Sequence, residues 1–482
     1  MPGAEVDWFG RNTFAVQMRQ DRPQLENAVM LVSLALAGML LLIGTLGNGG
    51  SASWAEPLYV IAGAVGFIVA AASKTHLQTA LKAALVCWLS ATAVHFFQSD
   101  PWPIVDVSPA LAGAEQSSMV FALAAADPMA SFRSGLYLAA IPGLFLLGHI
   151  SAKVLPHDAL LKLILVAVAG FAAVSLLSDI DPIQASPGQL RHPGDAVFPF
   201  SNRNTFCLFA GIGAVIAAAK LSRRGSAPLS GSEYSWVLAL VLCCIAVIAS
   251  HSRAGLAAVA VGVAIVSWPA IRHPRRLLFA AAIAGGALIA TLISNTGLRF
   301  IAIEQDLAVR GASWRAAAEI ASHHLWFGIG SLDLVMQAYP GQWGDRHIQR
   351  AHNIYLQSIA ERGLPASLLL ATAVGLAVLC IARLNKREVV SKPIGSATLA
   401  VLAMFAIHGL VDFSVSAPIN ASILAILLGA ATAEQRRLPS AAASATTASH
   451  SSQSSSCARA SADGVLPVHL RDAEPYQGLS GR

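Results

Sequence analysis

Charged side chains are scarce in this sequence. Asp, Glu, Lys and Arg make up 12% of the 482 residues, hydrophobic residues make up 55%, and the mean hydropathy is +0.61. Soluble domains contain about 25% charged residues, so the composition excludes an ordinary soluble protein and predicts an all-α, polytopic membrane protein. The net charge of +6 reflects the basic bias of cytoplasmic loops and carries no nucleic-acid inference.

Cysteine is also rare, and its placement excludes two kinds of site. Cys457 lies in the polar C-terminal segment, and the other five lie in apolar runs, at positions 87, 207, 243, 244 and 380. No spacing suits a disulfide framework or a metal site. Internal repeats of 20 to 50 residues are absent, and no inverted repeat of the kind found in many transporters is visible.

Apolar runs of spanning length account for most of the chain. A helix rising about 1.5 Å per residue needs roughly 20 apolar residues to cross a hydrocarbon core of about 30 Å. The first run lacks the pattern of a cleaved signal peptide and is expected to remain as a helix. The twelve predicted spans are 27–47, 56–73, 81–98, 135–152, 160–178, 204–221, 235–251, 254–271, 277–294, 363–382, 396–412 and 418–433.

These runs divide the chain into five parts. We expect a cytoplasmic N-terminal segment at 1–26, helices 1–9 within 27–294, a large periplasmic loop between helices 9 and 10 at 295–362, and helices 10–12 within 363–433. Residues 434–482 are rich in Ser and Ala and are predicted to form a disordered cytoplasmic tail. The polar loop is predicted to be structured, with a helix at Ala312–Ser322 and a turn at Gly328–Gly330.

Lysine is missing from one side of the predicted topology. With the N-terminus inside, all seven lysines fall on the cytoplasmic side, as expected for a membrane protein. The other side carries ten arginines and no lysine. A guanidinium is a planar fork suited to phosphate or carboxylate, whereas an ammonium is a point charge. The alternative explanation for this bias is GC-rich coding. The ten arginines are Arg133, Arg191, Arg203, Arg253, Arg299, Arg310, Arg315, Arg346, Arg350 and Arg362.

Three residues on this arginine-bearing side stand out as candidates for chemistry. Arg203 follows Asn202 at the start of a span, where the helix N-terminus and the guanidinium would face the same anion. Arg253 lies in a short turn between two apolar runs, where an anionic partner is expected. His352 precedes the tenth span and is suited to act as a general base. The alternatives are a snorkelling arginine and a structural histidine.

Further polar residues are candidates for substrate contact or for support of the site. Arg310 lies four residues before Trp314 and is expected either to contact substrate or to stabilise the loop. His408 and Asp412 have helical i, i+4 spacing and are predicted to share a face of the eleventh helix. Glu361 either orients His352 or caps the tenth helix. The remaining histidines lack a third ligand in metal-site spacing, so we expect no metal.

Four segments in this order resemble the O-antigen ligase and polysaccharide polymerase family of bacterial inner-membrane glycosyltransferases. They are Asn202-Arg203-Asn204, Ser252-Arg253-Ala254-Gly255, the pair Arg310-x3-Trp314 and Trp326-Phe327-Gly328-Ile329-Gly330, and His352-Asn353-x-Tyr355-Leu356-x4-Glu361-x-Gly363. The resemblance covers roughly residues 195–430. Many relatives have His where this chain has Thr205.

The resemblance implies a specific reaction. A glycan would pass from an undecaprenyl-diphosphate carrier to an acceptor hydroxyl, with no cofactor and no metal. The acceptor would be lipid A-core in a ligase or a growing polysaccharide in a polymerase. Arg203 and Arg253 would hold the diphosphate, and His352 would activate the hydroxyl at the periplasmic face of the inner membrane. Asn353 and Tyr355 belong to the same motif and are candidates for substrate contact or support.

Two other function classes remain open from the sequence. A permease for a small anionic solute such as bicarbonate would place polar or broken helices near the membrane midplane, and these runs contain little interior charge. A structural assembly protein would leave Arg203, Arg253 and His352 scattered. The separation of these three residues in the fold therefore discriminates between the classes.

Overall fold

The computed structural model describes residues 38, 55–73, 75–99, 126–180, 200, 202–223, 230–271, 303–338, 349–387 and 390–434. The regular structure within these ranges is helical, with no strand. A short 3-10 helix covers Ser414–Ser416. The α-helices, in chain order, are α1 Glu56–Ala72, α2 Thr79–Ser99, α3 Pro128–Val154, α4 His157–Ile180, α5 Arg203–Ser222, α6 Gly231–Ala249, α7 Arg253–Ile271, α8 Ile303–His323, α9 Asp333–Ala338, α10 Ile354–Lys386, α11 Lys392–His408 and α12 Pro418–Ala431.

The all-helical, multi-pass expectation is confirmed. Six helices, α2 to α6 and α10, are long and apolar enough to cross a membrane, and α1, α7, α11 and α12 are shorter apolar helices. The ten predicted spans that fall on described residues each coincide with one of these helices. Predicted spans 27–47 and 277–294 and the predicted tail from 435 onward lie outside the described residues, so the count of twelve stays a prediction.

Helix α5 lies at the centre of the described bundle. Its residues from Thr205 to Ala219 are buried, and it packs against α6, α7 and α11. Helix α3 packs against α1 and α12. A Cβ added to Gly66 of α1 would lie 2.1 Å from the carbonyl oxygen of Gly143 in α3, so the backbones meet directly, as small residues allow in membrane helices.

Helix α10 is kinked at Gly363. This residue has φ of 78° and ψ of 168°, a conformation that favours glycine. The break frees backbone groups, which pair with the 325–330 segment: Ile329 N donates to Ala360 O at 2.9 Å, and Leu364 N donates to Leu325 O at 2.7 Å. The predicted tenth span begins at this kink, but the helix extends back to Ile354.

The described part of the predicted loop is a packed helical layer. Helix α8 contains the predicted Ala312–Ser322 helix and is longer at both ends. Its buried side chains Ala316 and Ile320 join Leu332, Met336 and Ala360 in a small apolar cluster. The predicted turn is present, with φ of 70° at Gly328 and 74° at Gly330. This layer therefore rests on the first turns of α10.

The lysines of the described helices gather at one end of the bundle. Lys220, near the end of α5, forms an ion pair with Asp158 at the start of α4. The start of α11 joins the same end, where Ser391 N donates to His157 Nδ1 at 3.3 Å. We call this the lysine end. Helices α5, α7 and α10 begin at the opposite end, which we call the site end.

Candidate active site

Two helix starts, of α5 and α7, and the loop that contains Asp412 meet at the site end through one side chain, Asn204. Its Nδ2 donates to Asp412 Oδ2 at 2.5 Å, and its Oδ1 accepts from Ser252 Oγ at 2.6 Å. Asn204 follows Arg203, and Ser252 precedes Arg253. The structure thus joins the neighbours of both predicted diphosphate ligands to the loop that contains Asp412.

A side chain caps the start of each of the helices α5, α7 and α10. The backbone amide groups in the first turn that the cap does not bind are directed toward the site end. Asn202 accepts from Asn204 N at 2.7 Å at the start of α5. Ser252 Oγ accepts from Gly255 N at 3.2 Å in α7. Asn353 accepts from Tyr355 N at 3.0 Å in α10. The positive ends of three helix dipoles therefore point toward one region, an arrangement that favours an anion.

His352 lies beside this network immediately before α10. Its φ of 50° is left-handed, which is uncommon for residues other than glycine. Its Nδ1 lies 3.7 Å from Asp412 Oδ2, and its ring centroid lies 5.2 Å from that of Phe413. Trp314 Nε1 donates to the His352 carbonyl at 3.2 Å. The backbone of His352 is thus held from α8 and its imidazole from the 409–413 loop, and the side chain remains 30% exposed.

Asp412 is the buried carboxylate of the site. Its side chain is 0% exposed and accepts from Ser414 Oγ at 2.7 Å and Phe413 N at 2.8 Å in addition to Asn204. Burial alone would raise the pKa of Asp412, but the His352 imidazole, the nearby His408 and the Ser414 hydroxyl together hold that pKa well below its usual range. Asp412 is therefore ionised at neutral pH.

The prediction that His408 and Asp412 share a helical face is wrong. Helix α11 ends at His408, and Gly409 to Val411 form a turn. The turn is held by α10, because Ile354 N donates to Gly409 O at 2.9 Å. Asp412 therefore leaves the α11 axis and reaches Asn204 and His352, while His408 stays buried at the helix end.

Three of the supporting candidates hold this turn in place. Arg310 Nη1 donates to Val411 O at 2.7 Å, a contact that supports the loop. Asn353 Nδ2 donates to Leu410 O at 3.0 Å, and Tyr355 Oη donates to Ala406 O at 2.8 Å. The position of Asp412 relative to His352 thus depends on side chains from α8 and α10.

Neither role predicted for Glu361 is observed. Its carboxylate accepts from Gln357 Nε2 at 2.9 Å and lies 3.1 Å from Arg362 Nη2. Asn353 caps α10 instead, and Asp412 provides the carboxylate beside His352. The helix geometry explains the difference, because Glu361 lies more than two turns along α10 from His352.

Arg203 and Arg253 are the first residues of α5 and α7. Both are partly buried, and their chain neighbours belong to the Asn204 network. The backbone of both predicted ligands is therefore placed at the site end close to His352. The three residues therefore lie at the same end of the bundle rather than scattered along it.

A cleft of about 1270 Å³ begins beside His352. Apolar residues of α2, α3, α10, α11 and α12 line most of it, as far as Leu81, Ala377 and Leu428. At the site end the lining is polar and includes Glu56, Arg133 and Asp333, which the sequence reasoning did not select. Their separation along the chain left no local signal.

Residues 238–371 match a protein-family model described as O-Antigen ligase. This stretch runs from within α6 to within α10 and contains Arg253, Arg310 and His352. It confirms the resemblance found from the motifs. No curated protein matches the chain.

Proposed function

From the O-antigen ligase match over residues 238–371, we propose that this chain is a glycosyltransferase that moves a glycan from an undecaprenyl-diphosphate carrier to an acceptor hydroxyl. The acceptor is lipid A-core if the enzyme is a ligase, or a growing polysaccharide if it is a polymerase. The observation that carries the proposal is the placement of His352 and the ionised Asp412 where α5, α7 and α10 begin.

His352 is proposed as the general base. Its Nδ1 faces Asp412, which favours the tautomer with a proton on Nδ1 and leaves Nε2 for the acceptor hydroxyl. The hydroxyl oxygen attacks the anomeric carbon, and its proton passes to Nε2. The bond from the anomeric carbon to the diphosphate oxygen breaks as the new glycosidic bond forms. Asp412 stabilises the imidazolium that results.

The leaving group is an undecaprenyl diphosphate that gains negative charge as the bond breaks. Arg203 and Arg253, at the starts of α5 and α7, are proposed to hold it, together with the helix dipoles at the site end. The Asn204–Ser252 hydrogen bond of 2.6 Å fixes these two helix starts relative to each other. A preorganised pair of guanidiniums can stabilise developing charge without first rearranging.

Replacing either arginine by lysine is expected to impair transfer although the charge is kept. A bidentate fork on the diphosphate becomes a point contact. Losing one charged hydrogen bond costs about 1.5–3 kcal/mol, so Arg203→Lys and Arg253→Lys should each lower kcat/KM about tenfold or more. The measurement is transfer by purified variants from an undecaprenyl-diphosphate-linked trisaccharide.

Arg315→Lys provides the matched control, because Arg315 is an exposed residue of α8 that does not line the cleft. Its rate should equal that of the unsubstituted protein. Wild-type rates in both the Arg203 and Arg253 variants would exclude the diphosphate clamp.

The proposed location is the bacterial inner membrane, with the site end facing the periplasm. The lysine end, which includes Lys220, Lys386 and Lys392, would then face the cytoplasm, in agreement with the usual excess of positive charge on that side. Both chain termini and the 434–482 tail would also be cytoplasmic, and 295–362 would be periplasmic.

Reporter fusions test this orientation. Alkaline phosphatase, which is active only in the periplasm, should be active when fused after Gly344 and inactive when fused after Arg387 at the lysine end. Green fluorescent protein at the same positions should give the reverse pattern. Phosphatase activity confined to the Arg387 fusion would contradict the orientation.

A further inference from the structure

The polar end of the cleft contains six charged side chains that the proposed transfer step does not use. They come from α1, α3, α9, α10 and the segment before α10. Three are carboxylates and three are guanidiniums, so their formal charges cancel. They are Glu56, Arg133, Asp333, Arg350, Glu361 and Arg362.

Guanidiniums and carboxylates lie next to each other within this group. Arg350 Nη2 lies 3.7 Å from Asp333 Oδ2, and Arg362 Nη2 lies 3.1 Å from Glu361 Oε2. Burial raises the pKa of Asp333, and the Arg350 guanidinium opposes that rise. The 3.7 Å separation is longer than a direct hydrogen bond, which leaves both Asp333 and Arg350 with capacity for another partner.

This group adjoins the catalytic histidine through Phe413. The Arg350 guanidinium carbon lies 5.2 Å from the centroid of the Phe413 ring, and the His352 ring lies 5.2 Å from the same centroid. A ligand held by Asp333 and Arg350 would therefore lie next to His352. Such proximity to His352 suits the attacking hydroxyl of a substrate better than a remote part of a glycan.

The two predicted diphosphate ligands lie outside this lining. Arg203 and Arg253 do not line the cleft, although His352 and Asn202 do. A transferase must bring two substrates to its base, and the diphosphate is assigned to the helix starts of α5 and α7. The cleft is therefore the place for the other substrate.

The charged side chains at the polar end of the cleft indicate which chemical groups that substrate carries. Sugar hydroxyls both donate and accept hydrogen bonds, so neighbouring carboxylates and guanidiniums can satisfy them together. A phosphate or carboxylate on the sugar would add net negative charge to a group whose formal charges already cancel, in a region of low dielectric, which costs free energy. Beyond this end the lining is apolar, and apolar lining suits a hydrocarbon chain.

We propose that the polar end of the cleft is the acceptor subsite, that it binds an uncharged sugar of a lipid-anchored glycan through Asp333, Arg350 and Glu56, and that the apolar remainder takes the lipid. This inference rests on the proposed function for the identity of the reaction, because it names the substrate that His352 activates.

The test uses the full-length purified protein and two acceptors. One is a dodecyl-linked neutral trisaccharide, and the other is the same molecule with a phosphate monoester on its terminal sugar. An undecaprenyl-diphosphate-linked trisaccharide is the donor. Kinetic constants are measured for each substrate, and binding of each acceptor is measured separately in the absence of donor.

Asp333→Asn should raise the KM for the neutral acceptor and its Kd about tenfold, the usual cost of losing one charged hydrogen bond, with the donor KM unchanged. It should also reduce the preference for the neutral over the phosphorylated acceptor, because one repelling carboxylate is removed. Glu56→Gln, on a different helix, should have the same acceptor-specific effects. Glu319→Gln, an exposed carboxylate of α8 outside the cleft, should change neither constant.

Two results would overturn the subsite. One is a rise in the donor KM with an unchanged acceptor KM, which would place the donor in the cleft. The other is wild-type acceptor binding in both the Asp333 and Glu56 variants. If the unsubstituted protein bound the neutral acceptor and the variants bound it tenfold more weakly, but no transfer occurred, the subsite would stand and the proposed reaction would be rejected.

Discussion

His352→Ala is expected to lower glycan transfer by about 10²–10⁴, the usual contribution of a general base, while membrane insertion and donor binding are preserved. The proposed diphosphate ligands Arg203 and Arg253 are untouched by this change, so the loss should fall on kcat and leave the donor KM little altered. His352→Gln should recover little activity, because an amide cannot accept the proton.

The backbone at His352 calls for a second variant. Its φ of 50° strains most side chains but is accepted by asparagine. His352→Asn should therefore fold as well as the unsubstituted protein and still lose transfer to the same extent. The comparison separates loss of the base from disruption of the turn, with thermal unfolding in detergent as the check on folding. Normal turnover in His352→Asn would remove this residue from the mechanism.

The second large effect is expected at Asp412. Asp412→Asn keeps the size of the side chain and, with its amide oxygen in the Oδ1 position, still accepts from Ser414 and Phe413. It loses the hydrogen bond from Asn204 at the other position and removes the negative charge 3.7 Å from His352 Nδ1. A unit charge about 4 Å from the imidazolium is worth about 1 kcal/mol in water and about 4 kcal/mol at an effective dielectric constant of about 20, which corresponds to roughly 5- to 1,000-fold in rate. Transfer should fall by that factor, with the donor KM little changed.

Asp158→Asn is the matched control for this variant. Asp158 is a carboxylate that contacts Lys220 at the lysine end, so its loss should not affect transfer. A wild-type rate in Asp412→Asn, with correct folding shown by a single cooperative unfolding transition, would exclude Asp412 as the partner of the base.

The depressed pKa of Asp412 also has a consequence for stability. A carboxylate whose pKa is lower in the folded state than in the unfolded chain stabilises the fold fully above the unfolded value of about 3.9. That contribution is lost as the pH falls through the lower folded value. Above about pH 5 the protonation of Asp412 itself therefore adds no pH dependence, and Asp412→Asn should lower the unfolding temperature by removing the stabilisation that the carboxylate supplies.

The membrane-spanning helices are the part of the fold that the sequence predicts best. Hydrocarbon thickness sets the length of an apolar run, and the spans predicted at 204–221 and 254–271 fall on α5 and α7 to within a residue. The tenth span shows the limit of this signal. Because the residues before 363 are polar, the span was predicted to start at 363. In the structure, Asn353 caps a helix that continues through the Gly363 kink.

The sequence predicted individual residues of the candidate site but not the contacts between them. Motif order selected Arg203, Arg253 and His352, each close to the start of a helix. The partner of His352 could not be found in the same way, because Asp412 lies 60 residues further along the chain and is brought close by the end of α11. Helical spacing predicted a pairing within one helix, whereas the observed contacts are between helices.

The same reasoning explains why the cleft was missed. Glu56 begins α1, Arg133 lies in α3, and Asp333 begins α9, so no local pattern contains all three. Their charges cancel only when the helices are packed. Burial of charge is costly unless opposite signs are paired, which is a property of the folded arrangement and is invisible in any single window of sequence.

The most direct test of the account is a transfer assay with purified full-length protein, an undecaprenyl-diphosphate-linked trisaccharide and EDTA, with lipid A-core as acceptor in one reaction and the growing lipid-linked polysaccharide in another. Mass spectrometry of the lipid products should show one elongated acceptor for each undecaprenyl diphosphate released, in at least one reaction, and His352→Asn should abolish both products. Absence of transfer to either acceptor, together with protein-dependent bicarbonate flux into proteoliposomes, would contradict the account and favour a permease.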